Sequence, residues 1–590
     1  MEVINTGAET IHWDLTDLYA DQEALTLDLE KGDEEASAFE QRYRNQVASL
    51  DASGLAEAMQ ALERVEDRMG RAYTYVYLDW STDTSAPERG ALMQRVREAY
   101  TKTNQRLIFF DLEWSAVSEE QAAALLSADE IAPYRHYLDL LRLRKQHLLT
   151  EPEEIILSEK AVTGVSAWNR FFDETLGAMR FDLDGASLTQ QQLLAKLYET
   201  DRDLRKRAAL SFTEGLKAQS HPLTYVFNTV LAEKASTDRL RKFPNWLSSR
   251  NLSNEVEDRT VETLIQAVTD RYDLVARFYR LKARLLGIEE MKDYDRYAPV
   301  GEADTRYAWS DARVLVQDAY AQFHGRLGDI VGLFFERHWI DAALSPGKRG
   351  GAFSHGAVPS AHPYILMNYT GKIRDVQTLA HELGHGVHQY LSRKQGIFHA
   401  DTPLTTAETA SVFGEMLVFL QLMRKETDPA NRLAMLVGKI DDTIATVFRQ
   451  VAMNRFEDRI HQARRTEGEL SSDSLGAYWM ETQEAMFKGS VTLGTHYRHW
   501  WSYIPHFLHT PGYVYAYAFG ELLVLALYAR YLEEGDAFAE KYLGLLEAGG
   551  SDWPHLLVGR LNIDLTDPDF WHQGLMAIEA LIEEAERLAG

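Results

Sequence analysis

From Asp51 to about Gly215, apolar side chains recur every three or four residues with charged ones between them, as at Leu55, Met59, Leu62, Val65 and Met69. That period belongs to amphipathic helices with one buried face. The pattern breaks at Ser81–Pro87, around Pro133, at Glu151–Pro152 and at Asp184–Gly185, which are turn-like clusters rather than flexible linkers. Across the last break, Met179–Leu188 alternates apolar and polar residues and predicts a small hairpin. Helical periodicity resumes near Leu193 and runs to Ile340, where a long stretch rich in Gly, Pro and Ser interrupts it. Within that stretch Pro346, Gly347, Gly350 and Gly351 predict a loop, and Tyr364–Tyr369 (YILMNY), bounded by Pro363 and Gly371, predicts a strand. No 20- to 50-residue period is visible, so a regular helical solenoid is not supported.

Composition sharpens this picture. At 590 residues the chain is several times longer than a typical domain of ~150 residues, and it holds only 37 Gly and 15 Pro, too few for the many tight turns of an all-β protein. A mainly α fold is expected. The 62 basic and 89 acidic residues give a net charge of −27, which repels phosphate backbones and argues against nucleic acid as a partner. With no cysteine in the chain, disulfides, thiolate metal sites and a cysteine nucleophile are excluded, so any metal must sit on His, Asp or Glu. The opening MEVINTGAETIHWDLTDLY lacks a basic region followed by an apolar run, so no signal peptide is expected. The most apolar stretch, Tyr513–Leu532, contains Glu521 and Arg530 and reads as a buried helix rather than a membrane span. A soluble cytoplasmic protein without membrane association is the expectation.

The strongest chemical signal is His381-Glu382-Leu383-Gly384-His385, in a segment (Asp375–Lys394) that reads as a helix with Asp375 as its N-cap. At ~100° per residue the two histidines lie only ~40° apart around the helix, with Leu379 and Leu383 near the opposite side. Two imidazoles one turn apart suit a zinc ion, with the intervening glutamate beside it to deprotonate water. The pentamer is short enough to occur by chance, so the helical placement, the segregated leucines and a third ligand downstream carry the assignment.

That third ligand cannot come from the extended HExxHxxGxxH pattern, because positions 388 and 391 are His and Leu. In Thr405–Met423, a second predicted helix, Glu408, Ser411, Val412 and Glu415 share one face. Two carboxylates on an otherwise apolar helix need cation or metal partners. Glu408 is assigned as the zinc ligand and Glu415 as the partner of a ligating histidine. His388 shares a face with His385 and has two readings, a fourth ligand that would close the site or a supporting and substrate-contacting residue; the second keeps Glu382 useful as a base. Further on, Trp500–Glu521 brings His506, His509, Tyr513, Tyr515 and Tyr517 close together, and phenol or imidazole donors can stabilise the oxyanion formed when water attacks an amide. Dense aromatics are equally packing material.

With these residues in hand, the chain resembles the M3 family of zinc metallopeptidases, within it the oligoendopeptidase F branch. The resemblance runs through Trp13-Asp14-Leu15, Leu18-Tyr19, DRYAP (Asp295–Pro299), GGAF (Gly350–Phe353), HPYILMNY (His362–Tyr369), VQTLAHELGHGVH (Val376–His388), ETASVFGE (Glu408–Glu415) and WSYIPHFLHTPGYVYAYAFGEL (Trp501–Leu522). It implies one Zn2+ per chain on His381, His385 and Glu408, Glu382 as base, and His506 and Tyr513 as transition-state donors. Relatives in the thimet branch use two tyrosines seven residues apart, but seven after Tyr513 is Gly520, so Tyr517 takes the second role, ahead of Tyr515. The resemblance also implies a two-lobed, mainly helical body around a deep channel, with residues 1–192 walling it and 193–590 forming the catalytic region, and short peptides as substrates. YILMNY would offer its backbone to an extended substrate by strand addition, with Tyr364, Asn368 and Tyr369 as its substrate contacts.

The leading reading is therefore a zinc endopeptidase. A zinc carboxypeptidase or dipeptidyl carboxypeptidase would trim C-termini and need a cation for the terminal carboxylate, for which Lys348 or Arg349 in the glycine loop is available unless solvated. A non-catalytic peptide-binding scaffold would have no use for Glu382. Sequence is silent on oligomeric state and on cleavage preference.

Overall fold

The computed structural model describes residues 5–301 and 306–590, and among them helices dominate. Packing divides the chain into two units: Met1–Lys145, Asp304–Leu422 and Arg530–Ile563 form the first, and Gln146–Ala303, Met423–Ala529 and Asp564–Gly590 the second. Each unit thus interleaves three chain segments.

In the first unit, helices Gln22–Tyr43, Ala52–Thr82 and Pro87–Ala116 pack side by side. The Asp21 and Asp51 carboxylates cap the first two by accepting from Ala24 and Gly54 N–H. Phe39, Met59, Leu62, Val65, Phe110 and Trp114 fill the core between them. The expected break at Ser81–Pro87 is the link between the second and third helices.

The second unit contains the expected hairpin, β1 (Phe181–Leu183) paired antiparallel with β2 (Ala186–Leu188). Asp184 and Gly185 have φ of +56° and +83°, the two left-handed residues a type I′ turn requires. Its core gathers Phe227, Phe456, Trp479, Tyr497, Trp500, Trp501 and Phe507. The most apolar stretch becomes helix Tyr515–Glu534, buried from Tyr515 to Leu527 apart from Tyr517. Its Glu521 lies 3.6 Å from Lys439 Nζ and accepts from Thr443 Oγ1, so the one buried charge is compensated. No helix of the described residues is long and apolar enough to cross a membrane.

The interruption after Ile340 folds into a three-stranded sheet of the first unit. β3 (Ile340–Asp341) and β4 (Phe353–His355) flank β5 (Tyr364–Leu366), which runs parallel to β3 and antiparallel to β4. YILMNY is therefore the central strand, and both of its edges are already paired. It cannot accept a peptide by strand addition; β4 holds the outer position on that side.

Candidate metal centre and active site

The HExxH helix spans Ile373–Ser392 and buries Val376, Leu379, Ala380, Leu383 and Val387. Lys372, not Asp375, is its N-cap. Asp375 sits at the third helical position and accepts from the N–H of Thr370 (2.7 Å) and Lys372 (3.1 Å) and from Thr370 Oγ1, so it performs the capping from inside the first turn. The second ligand segment is also divided: a short helix, Leu404–Ala407, ends at Glu408, and a longer one runs Thr409–Lys425. Glu408 stands at the joint.

Close approach of these segments depends on residues without functional side chains. A Cβ on Gly384 would lie 2.3 Å from the Ala410 carbonyl oxygen, and one on Gly414 would collide with the Tyr320 hydroxyl. That hydroxyl donates to the Ala380 carbonyl (2.8 Å), so buried Tyr320 of helix Trp309–Phe323 touches both segments beside the ligands. Sequence reasoning missed Tyr320 and Gly414, whose sequence neighbours offer no signal. Gly384 was visible as the small residue inside the pentamer.

The result is a convergent donor set. His381, His385 and Glu408 each offer a ligand atom, all within 4.8 Å of one another. Glu408 Oε2 lies 3.4 Å from His381 Nε2 and 3.5 Å from His385 Nε2, and Ser411 Oγ donates to the same oxygen (2.6 Å). Glu415 Oε2 is 3.5 Å from His381 Nδ1, which turns Nε2 toward the cluster. Burial works to lower the His381 pKa, but the Glu415 hydrogen bond and the charges of Glu408 and Glu382 raise it to about 9. Burial and the His381 charge, opposed by Glu408, hold His385 down at about 4. Two imidazoles and one carboxylate in this arrangement fit zinc.

Glu382 is 7% exposed. Burial, helped by Glu408 and opposed by His381 and the Ser354 N–H of β4, pushes its pKa up to about 7. His388 lies outside the donor cluster; it is buried, and burial followed by the His385 charge keeps it neutral with a pKa near 4. The other expected site residues of this unit are occupied elsewhere. Tyr364 and Tyr369 are buried core residues, Tyr364 against Trp13 and His362, Tyr369 donating to the Tyr307 carbonyl. Asn368 Nδ2 donates to the carbonyls of Arg349 and Gly351 and ties down the glycine loop. Lys348 is not solvated: its ammonium is buried against the Asp341 carboxylate and the carbonyls of Ala343 and Met367. Arg349 lies over the rings of Tyr77 and Phe353.

His506, Tyr513 and Tyr517 belong to the second unit and come together there. Tyr517 OH is 3.4 Å from His506 Nε2, and the Tyr513 and Tyr517 rings meet edge-on at 5.0 Å. Tyr513 precedes the helix that begins at Tyr515 rather than sharing it. Tyr515 is core, its hydroxyl accepting from Asn254 Nδ2, and His509 pairs with Asp173.

Two family models and several known proteins match the chain. The family model described as Peptidase family M3 matches residues 195–577, and that described as Oligopeptidase F matches 113–181. Oligopeptidase PepF of Bacillus subtilis is 26% identical over 98% of this chain and 87% of its own. A solved Chlamydophila abortus chain superposes with a TM-score of 0.88 at 25% identity, covering 98% of both chains. The oligoendopeptidase-F structure from Enterococcus faecium matches with a TM-score of 0.71 at 22% identity over 95% of this chain and 97% of its own.

Proposed function

The chain belongs to peptidase family M3, and from that premise we propose that it is a zinc-dependent endopeptidase cleaving internal bonds of short, unstructured oligopeptides. The observation that carries this reading is the convergence of His381, His385 and Glu408 beside a buried Glu382. Those three residues would hold one zinc ion, which when bound supplies Lewis acidity toward water and the scissile carbonyl.

The remaining work falls to side chains. Glu382 accepts the proton of the attacking water on its carboxylate and delivers it to the leaving amine, as a carboxylate placed beside the metal-holding residues can. Glu415 holds the His381 tautomer from Nδ1, and Ser411 orients Glu408. His506 and Tyr513 donate to the developing oxyanion, with Tyr517 as the second phenol. The outer edge of β4, whose Ser354 N–H acts on Glu382, supports an extended substrate backbone in place of β5. Restriction to short, unstructured chains is part of the same reading.

Product mapping on an internally quenched peptide blocked at both ends tests the proposal. Internal cleavage, with negligible digestion of a stably folded protein, is expected. Cleavage confined to peptides with free C-termini would establish the carboxypeptidase alternative instead.

A further inference from the structure

The DRYAP segment takes no part in the proposed chemistry, yet it carries a guanidinium with an unusual environment. Arg296, 5% exposed, donates from Nε to the Asp293 carbonyl (3.1 Å) and from Nη2 to the hydroxyls of Tyr297 (2.7 Å) and Tyr497 (3.0 Å). Arg449, on helix Phe448–Thr466, has one hydrogen bond, from Nη2 to Tyr503 OH at 3.4 Å, and its buried Nε has no partner. The two charges are close enough to act on each other, and both act on Tyr503. All of these residues belong to the second unit.

The neighbouring acids are engaged elsewhere. Asp293 pairs with His496 (2.8 Å), Asp295 with Arg202 (2.7 Å) and Arg205 (3.0 Å), and Asp441 with Lys282. Among the described residues no carboxylate lies within salt-bridge distance of Arg296 or Arg449, in a chain of net charge −27. Asp441 acts on Arg296 only from a distance; partly desolvated like charges with no carboxylate in contact are unfavourable, and an anion that fits recovers the loss. Arg449 is half-buried with its Nε enclosed, so an anion would approach from the Nη end, and a guanidinium flanked by phenols matches the acceptor-only chemistry of a carboxylate. Tyr503, which contacts Arg449, lies three residues before His506, and the Arg449 charge is felt at His506. The anion would therefore sit in the same neighbourhood as the proposed transition-state donors.

We propose that Arg449, backed by Arg296 and flanked by Tyr297 and Tyr503, is an anion subsite that binds a carboxylate of the peptide substrate. This rests on the peptidase reading for the identity of the ligand, not for the existence of the site. The carboxylate is either the peptide's C-terminus or an Asp or Glu side chain, and both present the same two oxygens.

The test is equilibrium binding of the zinc-loaded Glu382→Gln chain to one peptide in its free-acid form, its C-terminal amide, and a Glu-to-Gln scan. Loss of the relevant carboxylate should weaken binding by about tenfold or more. Arg449→Gln should abolish that difference and Arg449→Lys should retain part of it, with zinc content unchanged and an unfolding midpoint no lower than that of wild type in both. Loss on amidation identifies the C-terminus; loss in the scan identifies a side chain. Equal affinity for every form, or the same acid preference in Arg449→Gln, overturns the subsite. Wild-type chain that hydrolyses all forms with equal KM also overturns it while the peptidase reading stands. Acid-selective, Arg449-dependent binding without hydrolysis by wild type would leave the subsite standing and remove the peptidase reading.

Discussion

Replacing Gly384 with alanine adds a single methyl group to the HExxH helix, and its effect follows from the crossing with the Glu408 segment. The new Cβ would lie 2.3 Å from the Ala410 carbonyl oxygen, 2.5 Å from Ser411 Cα and 2.7 Å from the Ala410 carbonyl carbon. These are backbone atoms and cannot rotate away. Reaching ordinary contact requires the two segments to separate by ~1 Å, an overpacking that costs about 1–3 kcal/mol. Glu408, two residues before Ala410, moves with them, and zinc sites tolerate only ~0.2 Å in ligand distance. We expect Gly384→Ala to lower the unfolding free energy of the chelator-treated protein by that amount and to weaken zinc binding by at least ~10²-fold in competition with a chromophoric chelator. Gly438→Ala is the control. It lies in helix Pro429–Thr446 with open space around it, where alanine should stabilise by ~0.5–1 kcal/mol. A Gly384→Ala protein with wild-type stability and zinc affinity would refute the argument that this glycine sets the ligand geometry.

Glu415→Gln should weaken zinc binding about 10–100-fold without unfolding the protein, because the amide orients His381 less strongly than a carboxylate; unchanged affinity would leave Glu415 without that role. His506→Ala and Tyr513→Phe should each lower kcat by ~10²-fold with little change in KM, whereas a change confined to KM would make them substrate-binding residues. Glu457 is fully buried, and burial, opposed by the Gly512 N–H and by Arg250 and Lys234, raises its pKa to about 8. Between roughly pH 4.5 and that value the folded state keeps a proton that the unfolded chain releases. Its contribution therefore declines as pH rises through this window, by at most ~1.4 kcal/mol per pH unit. Urea unfolding at several pH values should show that slope in wild type and not in Glu457→Gln; identical slopes would contradict the assignment.

Local pattern made much of the fold legible. The helices between Asp51 and Gly215, the Asp184–Gly185 hairpin and the buried helix after Tyr513 follow from periodicity and turn chemistry acting within a few residues. So does the His381, His385 and Glu408 set, because a helix fixes two of the residues and a carboxylate in an otherwise apolar segment marks the third. What escaped depends on contacts between distant segments. YILMNY reads as a strand, but its central position depends on pairing with Ile340–Asp341, two residues with no alternation to announce them. Lys348 reads as a loop cation, and only the fold brings Asp341 and two carbonyls around it. The cap at Lys372 escapes because Lys372 is not a capping residue type and Asp375 instead reaches back to the Thr370 and Lys372 N–H groups, and Tyr320 because its partners, Ala380 and Gly414, are backbone.

Zinc-loaded Glu382→Gln, assayed for both metal content and hydrolysis of an end-blocked quenched peptide, tests the central claim most directly. Glutamine keeps the shape of the side chain but cannot accept the proton of water. The account predicts about one zinc per chain, as in wild type, and a kcat lower by ~10²–10⁴-fold. One zinc per chain with a wild-type rate would contradict it, since the base would then lie elsewhere.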